Sequence, residues 1–196
     1  MTLEELLQEV YNLTDRPELV ALSKTAIKSA TLKGHMSDFY YRDIYEIGVQ
    51  LSEPTYIYSF IPYDIISNFR APAYIKRVAD ENDEQGKAFD PITPDDVLDA
   101  YKCLRSDVYY SAGRTLEIRS SVEFSKMLVG AYVLPIVTDE GFSSWIAELV
   151  PYYIIYEAAA KVFKAIGQDQ EAAFFKAEIS EQFITLRTAG LTQQGY

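Results

Sequence analysis

Apolar residues recur at three- and four-residue intervals late in the chain, between Ser144 and Gly190, in two patterns that meet at Gly167. This spacing places apolar side chains on one face of a helix, so it predicts two amphipathic helices. Gly167 suits a left-handed helix cap and Asp169 suits an N-cap. We therefore expect the two helices to turn back on each other as an antiparallel hairpin.

The apolar stripe on the first helix of this hairpin is too wide for a surface helix. Ser144 is a possible N-cap for that helix. Because proline is poorly tolerated in a helix interior, the helix is expected to begin after Pro151 or to kink there. The side chains predicted to anchor the core are Trp145, Tyr156, Phe163 and Phe174.

Two further helices are predicted at the start of the chain. Thr2 followed by Glu5 is a capping-box pattern, and leucines at helical spacing come directly after it. A second helix is predicted to open near Pro17 and to end at Gly34. His35 follows directly, and we expect it to cap the last carbonyl groups or to interact with the end of the helix dipole.

The pattern changes in the middle of the chain, where aromatic residues crowd the stretch from 39 to 74. Aromatic residues in alternation are typical of strands in a half-buried sheet. A tight turn is predicted at 112–114, and an exposed loop or hairpin tip at the acidic stretch 80–87. The predicted strands are 42–46, 56–61, 73–79, 107–112 and 115–119, and 127–135 is either a last strand or the lead-in to the helical hairpin.

These elements predict an α+β fold, in which the N-terminal and C-terminal helices form a helical bundle with an antiparallel β-rich segment inserted between them. A short helix from Pro94 to about Cys103 is expected within the insert. The predicted parts are 1–38 for the N-terminal helices, 39–135 for the β-rich insert, 136–190 for the C-terminal helical hairpin and 191–196 for an extended tail.

Charge and composition restrict the classes of function that suit this chain. The chain has 18 Lys and Arg against 29 Asp and Glu, a formal net charge of -11, which disfavours binding of nucleic acid through its phosphates. That sign suits a channel wall that lets DNA pass, and it equally suits simple solubility. The single cysteine, Cys103, excludes an internal disulfide and a zinc site made of several thiolates. No membrane span and no signal peptide are expected.

The residue types that usually carry catalysis are sparse. His35 is the only histidine, and Cys103 is expected to be a buried, inert thiol. Asp95, Asp96 and Asp99 are interpreted as exposed acids of a helix rather than metal ligands. We therefore predict neither an enzyme nor a bound cofactor or metal. The 16 tyrosines instead favour large contact surfaces with other proteins.

Short motifs along nearly the whole chain carry a family resemblance. They are DRPELV at 15–20, TAI at 25–27, AT at 30–31, His35, FYYRD at 39–43, Pro62, FR at 69–70, DVYY at 107–110, AG at 112–113, SWI at 144–146, Pro151, EAA at 157–159, Gly167 and EAA at 171–173. In this order the motifs resemble the head-to-tail adaptor proteins of tailed bacteriophages. Each motif is short and none is catalytic.

This resemblance implies a virion protein, made in the host cytoplasm and located in the neck between head and tail. Such adaptors form a ring that matches the dodecameric portal protein, lines the DNA exit channel and lets DNA pass without specific binding. Their helical bundle packs around the ring, and their β-rich part faces a tail nozzle or tail hub protein. They have no active site, no cofactor and no membrane contact.

In this family the end of the chain can be extended and dock on the portal. The resemblance therefore implies a portal-docking tail made of Leu191, Thr192, Gln193, Gln194, Gly195 and Tyr196. A frayed terminus is the other interpretation of so polar a segment. Two other functions stay open: a tail-completion or stopper protein one layer below the adaptor, and a small-molecule-binding domain that uses the aromatic β region as a pocket.

Overall fold

The computed structural model describes residues 1–78, 86–99 and 101–191, with the backbone alone for Leu191. Within these residues it has six α-helices and a mixed five-stranded sheet, with helices at both ends and strands in the middle. The predicted α+β class is therefore confirmed. The chain folds as two compact units, a helical unit made of Met1–Asp43 with the chain from Leu134 onward, and a strand unit, Ile44–Val133.

The helical unit begins with α1 (Leu3–Thr14) and α2 (Val20–Met36). The predicted capping box is confirmed, since the Glu5 amide donates to Thr2 Oγ1 at 3.2 Å and the Thr2 amide donates to the Glu5 carboxylate at 2.8 Å. The prediction that α2 opens near Pro17 is wrong, because Arg16 accepts the Leu19 amide in a separate turn before the helix.

The prediction that Gly34 ends α2 is also wrong, since the helix continues to Met36. Gly34 does not terminate α2; it allows neighbouring side chains to pack closely against the helix. A Cβ atom at this position would lie 2.8 Å from Tyr153 Cε1 and 2.9 Å from Ile146 Cδ1, both of buried side chains. The missing side chain therefore lets α2 lie against the helices of the C-terminal segment.

The C-terminal segment forms α4 (Trp145–Leu149), α5 (Pro151–Ala165) and α6 (Asp169–Leu191). The predicted Ser144 cap is confirmed, with Ser144 Oγ accepting the amides of the second and third residues of α4 at 3.2 and 3.4 Å. Pro151 is the first residue of α5, and Gly167 ends the hairpin's first arm in the left-handed conformation at φ 79°. Asp169 is not the N-cap but the first residue of α6.

The core of the helical unit contains three of the four predicted anchors at least in part. Phe163 is buried, and Trp145 and Tyr156 are half-buried against the core. Phe174 is wrong as an anchor, because 61% of its side chain is exposed. Its neighbour Phe175 takes the inward position instead, stacked on Phe163 with ring centroids 5.6 Å apart.

The strand unit is organised around β5 (Thr115–Val133), which pairs with β1 (Ile44–Phe60) along most of its length. The shorter strands β2 (Phe69–Arg77) and β4 (Val108–Ala112) pair with its C-terminal and N-terminal halves. All these pairs are antiparallel as predicted. The exception is β3 (Asp90–Pro91), which pairs with β4 in parallel.

Several boundaries in this unit differ from the predicted ones. The predicted strands 42–46 and 56–61 fall mostly in one strand, β1, which begins only after a 3₁₀ turn at Tyr41–Asp43 and ends at Phe60. The register of β1 shifts on both sides of Thr55, next to Pro54. Proline lacks the amide that a regular ladder needs, and the strand accommodates it with a bulge rather than an end. The segments 115–119 and 127–133 likewise belong to the single strand β5.

The predicted helix from Pro94 to Cys103 is a short 3₁₀ turn, Pro94–Val97. The Asp99 carboxylate accepts the amides of Tyr101 and Cys103 at 2.8 Å each, and this local turn competes with a helix. Cys103 is exposed, so its predicted burial is wrong. The tight turn at Gly113 is present with φ 63°, whereas 80–85 of the predicted acidic loop lie outside the described residues.

A short helix, α3 (Pro62–Ile65), follows β1 and precedes β2. The core of the strand unit comes from the inward faces of its long strands. Its buried side chains include Ile66, Ile75, Leu116, Ile118, Phe124, Met127 and Val129. Buried and less buried positions alternate along the first part of β5, so one face of that strand faces the core.

Candidate functional site

The predicted portal-docking tail begins where α6 ends. Leu191 is the last residue of α6, while Thr192, Gln193, Gln194, Gly195 and Tyr196 lie outside the described residues. The end of α6 is held by the segment before the first strand: Arg42 Nε donates to the Ala189 carbonyl at 3.0 Å, and Arg187 pairs with Asp38 at 3.2 Å. These contacts fix the last turns of α6 within the helical unit.

The most connected polar cluster of the helical unit is centred on His35, which we call the His35 network. His35 Nδ1 lies 2.6 Å from Asp43 Oδ1, and His35 Nε2 lies 2.9 Å from Ser144 Oγ. Trp145 Nε1 donates to the same Asp43 oxygen at 2.7 Å. His35 lies in the last turn of α2 and is 2% exposed, so the prediction that it caps the helix end is replaced by a buried tertiary role.

The hydrogen-bond partners of His35 are consistent with the neutral tautomer that carries its hydrogen on Nδ1. If Nδ1 carries the hydrogen, His35 donates to Asp43, and Nε2 accepts the hydroxyl hydrogen of Ser144. The lone pairs of Ser144 Oγ then accept the two amides at the start of α4. Among the described residues, the second carboxylate oxygen of Asp43 is buried and has no hydrogen-bond partner.

Ser144, His35 and Asp43 share the connectivity of a serine hydrolase triad. Their exposed fractions are 5%, 2% and 3%, so a substrate has no access to Ser144 Oγ in this conformation. The hydroxyl is also committed as a helix cap. The arrangement joins the end of α2, the Asp43 turn and the start of α4, which favours a structural role over nucleophilic catalysis.

A long cleft in the helical unit runs between α2, α5 and α6. It has a volume of about 950 Å³. Its lining residues are mainly apolar or small and include Leu32, Met36, Ser37, Tyr153, Ile179 and Phe183. Burial, together with the negative charge of Glu157, raises the pKa of Tyr153 to about 12, so the phenol stays neutral beside the cleft.

A second, smaller pocket of about 350 Å³ shares Lys33 and Ile179 with this cleft. The buried carboxylate of Glu157 lies beside it and pairs with Lys33 at 2.7 Å and with Lys161 at 3.6 Å. Burial lowers the pKa of Lys161, and the positive charge of Lys33 adds to this effect. This basic pocket was not predicted from the sequence, although α2 carries lysines and no acids.

The strand unit offers a shallower depression and an aromatic surface. The depression, lined by Tyr63 and Arg70 among others, has about 270 Å³, which is below the usual range of ligand pockets. Tyr45, Tyr56 and Tyr63 are each about half exposed. An aromatic surface of this kind suits contact with another protein better than enclosure of a small molecule.

A carboxylate directly before β4 is hydrogen-bonded to Ser121 of β5 and to Lys87. Asp107 accepts the amide and the hydroxyl of Ser121 and the ammonium of Lys87. Burial alone would raise the pKa of Asp107, but the hydrogen bonds from Ser121 and Lys87 outweigh it and hold the pKa below its ordinary value. The charged carboxylate is therefore favoured at this position, where it links β4 to β5.

Within 1–78, 86–99 and 101–191, no group of three or more His, Cys, Asp or Glu side chains is arranged to hold a metal ion. None of the helices in this part of the chain combines the length and apolar character required to cross a bilayer. Comparison of the sequence with protein-family models and with curated proteins finds no match.

Proposed function

We propose that this chain is a structural virion protein, a head-to-tail adaptor whose ring joins the portal vertex to the tail in the neck of a bacteriophage. The observation that carries the proposal is the division into two units, with both ends of the chain in the helical unit and 44–133 in the strand unit. The adaptors that the motifs resemble divide their contacts in this way. The helical part packs around their ring, and the β-rich part faces the tail nozzle or hub.

Exposed aromatic side chains on each unit support a protein that is covered by partners. In the helical unit they are Phe39, Tyr41, Tyr152 and Phe174, each about half exposed or more. In the strand unit they are Tyr45, Tyr56 and Tyr63. Large aromatic side chains are enriched where proteins bind each other, and a ring gives each copy two neighbours as well as a portal and a tail partner.

The net charge of -11 supports the channel-lining part of the proposal. A ring of such chains repels the phosphates of DNA and so favours passage over binding. DNA is therefore a passing molecule here, not a ligand.

The experiment that tests the proposal is the mass of the purified protein by light scattering, alone and mixed with the portal protein encoded by the same genome. We expect the portal particle to gain about twelve copies, because a ring follows the symmetry of the ring on which it assembles. A chain that stays monomeric and leaves the portal mass unchanged at every salt concentration would contradict the proposal. A chain that binds only a portal already carrying another neck protein would favour the tail-completion or stopper function.

Removal of 192–196 is expected to abolish attachment to the portal while leaving the helical unit folded. The physical reason is that α6 is anchored upstream, through Ala189 and Arg187, so the fold does not need the tail. Light scattering with the portal measures attachment, and Trp145 fluorescence measures folding. The control replaces the five residues with glycine and serine at equal length. If both altered chains bind the portal normally, the tail is not the docking segment.

A further inference from the structure

The basic pocket stands out against the charge of the whole chain. Of the ten lysines in a chain with net charge -11, four line this one pocket, namely Lys33, Lys161, Lys164 and Lys176. They come from three helices, α2, α5 and α6, so the fold rather than a basic sequence run brings them together. Within the described part of the chain, Glu157 is the one carboxylate that lines the pocket. The local balance is therefore positive in an acidic protein.

The lysines divide into two pairs by their partners. Lys33 and Lys161 neutralise Glu157, and Lys161 also donates to Ser29 Oγ at 2.9 Å. Lys164 and Lys176 are exposed, and within the described part of the chain neither forms an ion pair. Two exposed ammonium groups in the pocket lining are thus available to an anionic partner.

The basic pocket adjoins the apolar cleft. Lys33 and Ile179 line both, so a ligand that fills the cleft next to Ile179 lies beside the basic pocket. A free phosphate or a small carboxylic acid would use the lysines and leave the apolar cleft open to water. A ligand that satisfies both surfaces needs large apolar groups beside negative charges.

We propose that the cleft between α2, α5 and α6 binds a segment of a partner protein in which large apolar side chains lie next to acidic ones. The apolar side chains fill the cleft beside Tyr153 and Phe183, and the acidic ones contact Lys164 and Lys176. Nucleic acid is the less favoured polyanion, because it has no apolar side chains for the cleft and the rest of the chain repels its phosphates. This inference does not rest on the adaptor proposal, since it requires neither a ring nor a portal.

The proposal is tested by selecting a library of randomised twelve-residue peptides against the full chain. The enriched peptides are expected to combine several acidic residues with two or more large apolar ones. Their affinities are then measured by fluorescence anisotropy. Because two attractive charge contacts become repulsive, the K164E/K176E variant should bind the selected peptides about tenfold more weakly.

The matched control is K102E/K126E, which makes the same charge change at two exposed lysines of the strand unit and should bind like the unaltered chain. Trp145 fluorescence checks that both variants keep the helical unit folded. The proposal is overturned if no peptides enrich, if the enriched peptides lack acidic residues, or if both variants bind them equally. Displacement of the peptides by a short single-stranded oligonucleotide of higher affinity would overturn it in favour of nucleic acid.

Discussion

Asp43→Ala is expected to lower the free energy of unfolding of the helical unit by about 2–5 kcal/mol, because two buried hydrogen-bond donors lose their acceptor and each such loss costs about 1–3 kcal/mol. Asp43 Oδ1 accepts from both His35 and Trp145, at 2.6 and 2.7 Å. Alanine leaves both donors without an acceptor, and His35 is too deeply buried for water to replace the carboxylate. The loss therefore includes desolvation of two polar groups.

Denaturant unfolding followed by tryptophan fluorescence measures this loss. Trp145 is the only tryptophan, so the signal reports on the helical unit alone. The control is Asp38→Ala, which removes an ion pair with Arg187 whose two side chains are 30% and 54% exposed. That change should lower stability by less than about 1 kcal/mol. Equal losses in the two variants would mean that the His35 network adds nothing beyond a surface pair.

Trp145→Ala is expected to lower the stability of the helical unit by about 3 kcal/mol or more, as large aromatic deletions do. The indole ring lies edge-on to the rings of His35 and Tyr40, with centroids 5.5 and 5.3 Å away. Its removal opens a cavity beside the buried Tyr40 and takes a hydrogen bond from Asp43.

Far-ultraviolet circular dichroism replaces fluorescence here, because the variant lacks the fluorophore. Leu149→Ala is the control in the same short helix; its side chain is 50% exposed and should contribute less than about 1 kcal/mol. An unchanged melting midpoint for Trp145→Ala would remove Trp145 from the core. Since Trp145 and Asp43 share a hydrogen bond, the double variant should lose less than the two single losses combined.

Local signals in the sequence were enough to predict how several of the helices begin or end. The capping box at Thr2, the Ser144 cap and the left-handed Gly167 depend on residues within four positions, and all three are present. Two features were harder to predict from the sequence: which side of a helix turns inward, and whether a strand continues past an interruption. Phe174 and Phe175 are adjacent, and only the packing of α6 on Tyr156 and Phe163 decides which of them turns inward.

Continuity of the long strands illustrates the same limit. Proline usually ends a strand, yet β1 continues past Pro54 because β5 offers pairing partners on both sides of the bulge. The candidate sites could not be predicted from the sequence, for a further reason. His35 meets a serine 109 positions away, and the basic pocket gathers lysines from three helices, so spacing along the chain carries no sign of either cluster.

The helical unit is assembled from stretches that lie far apart in the sequence. During synthesis of the chain, it can therefore fold only late. The strand unit is one continuous stretch, complete at Val133, and its strands can pair while later residues are still being translated. The first two helices have to wait, because their packing partner α5 lies more than a hundred positions later. A ribosome that stalls before Pro151 would therefore release a chain whose first apolar faces stay uncovered, and such an incomplete product is open to degradation by proteases.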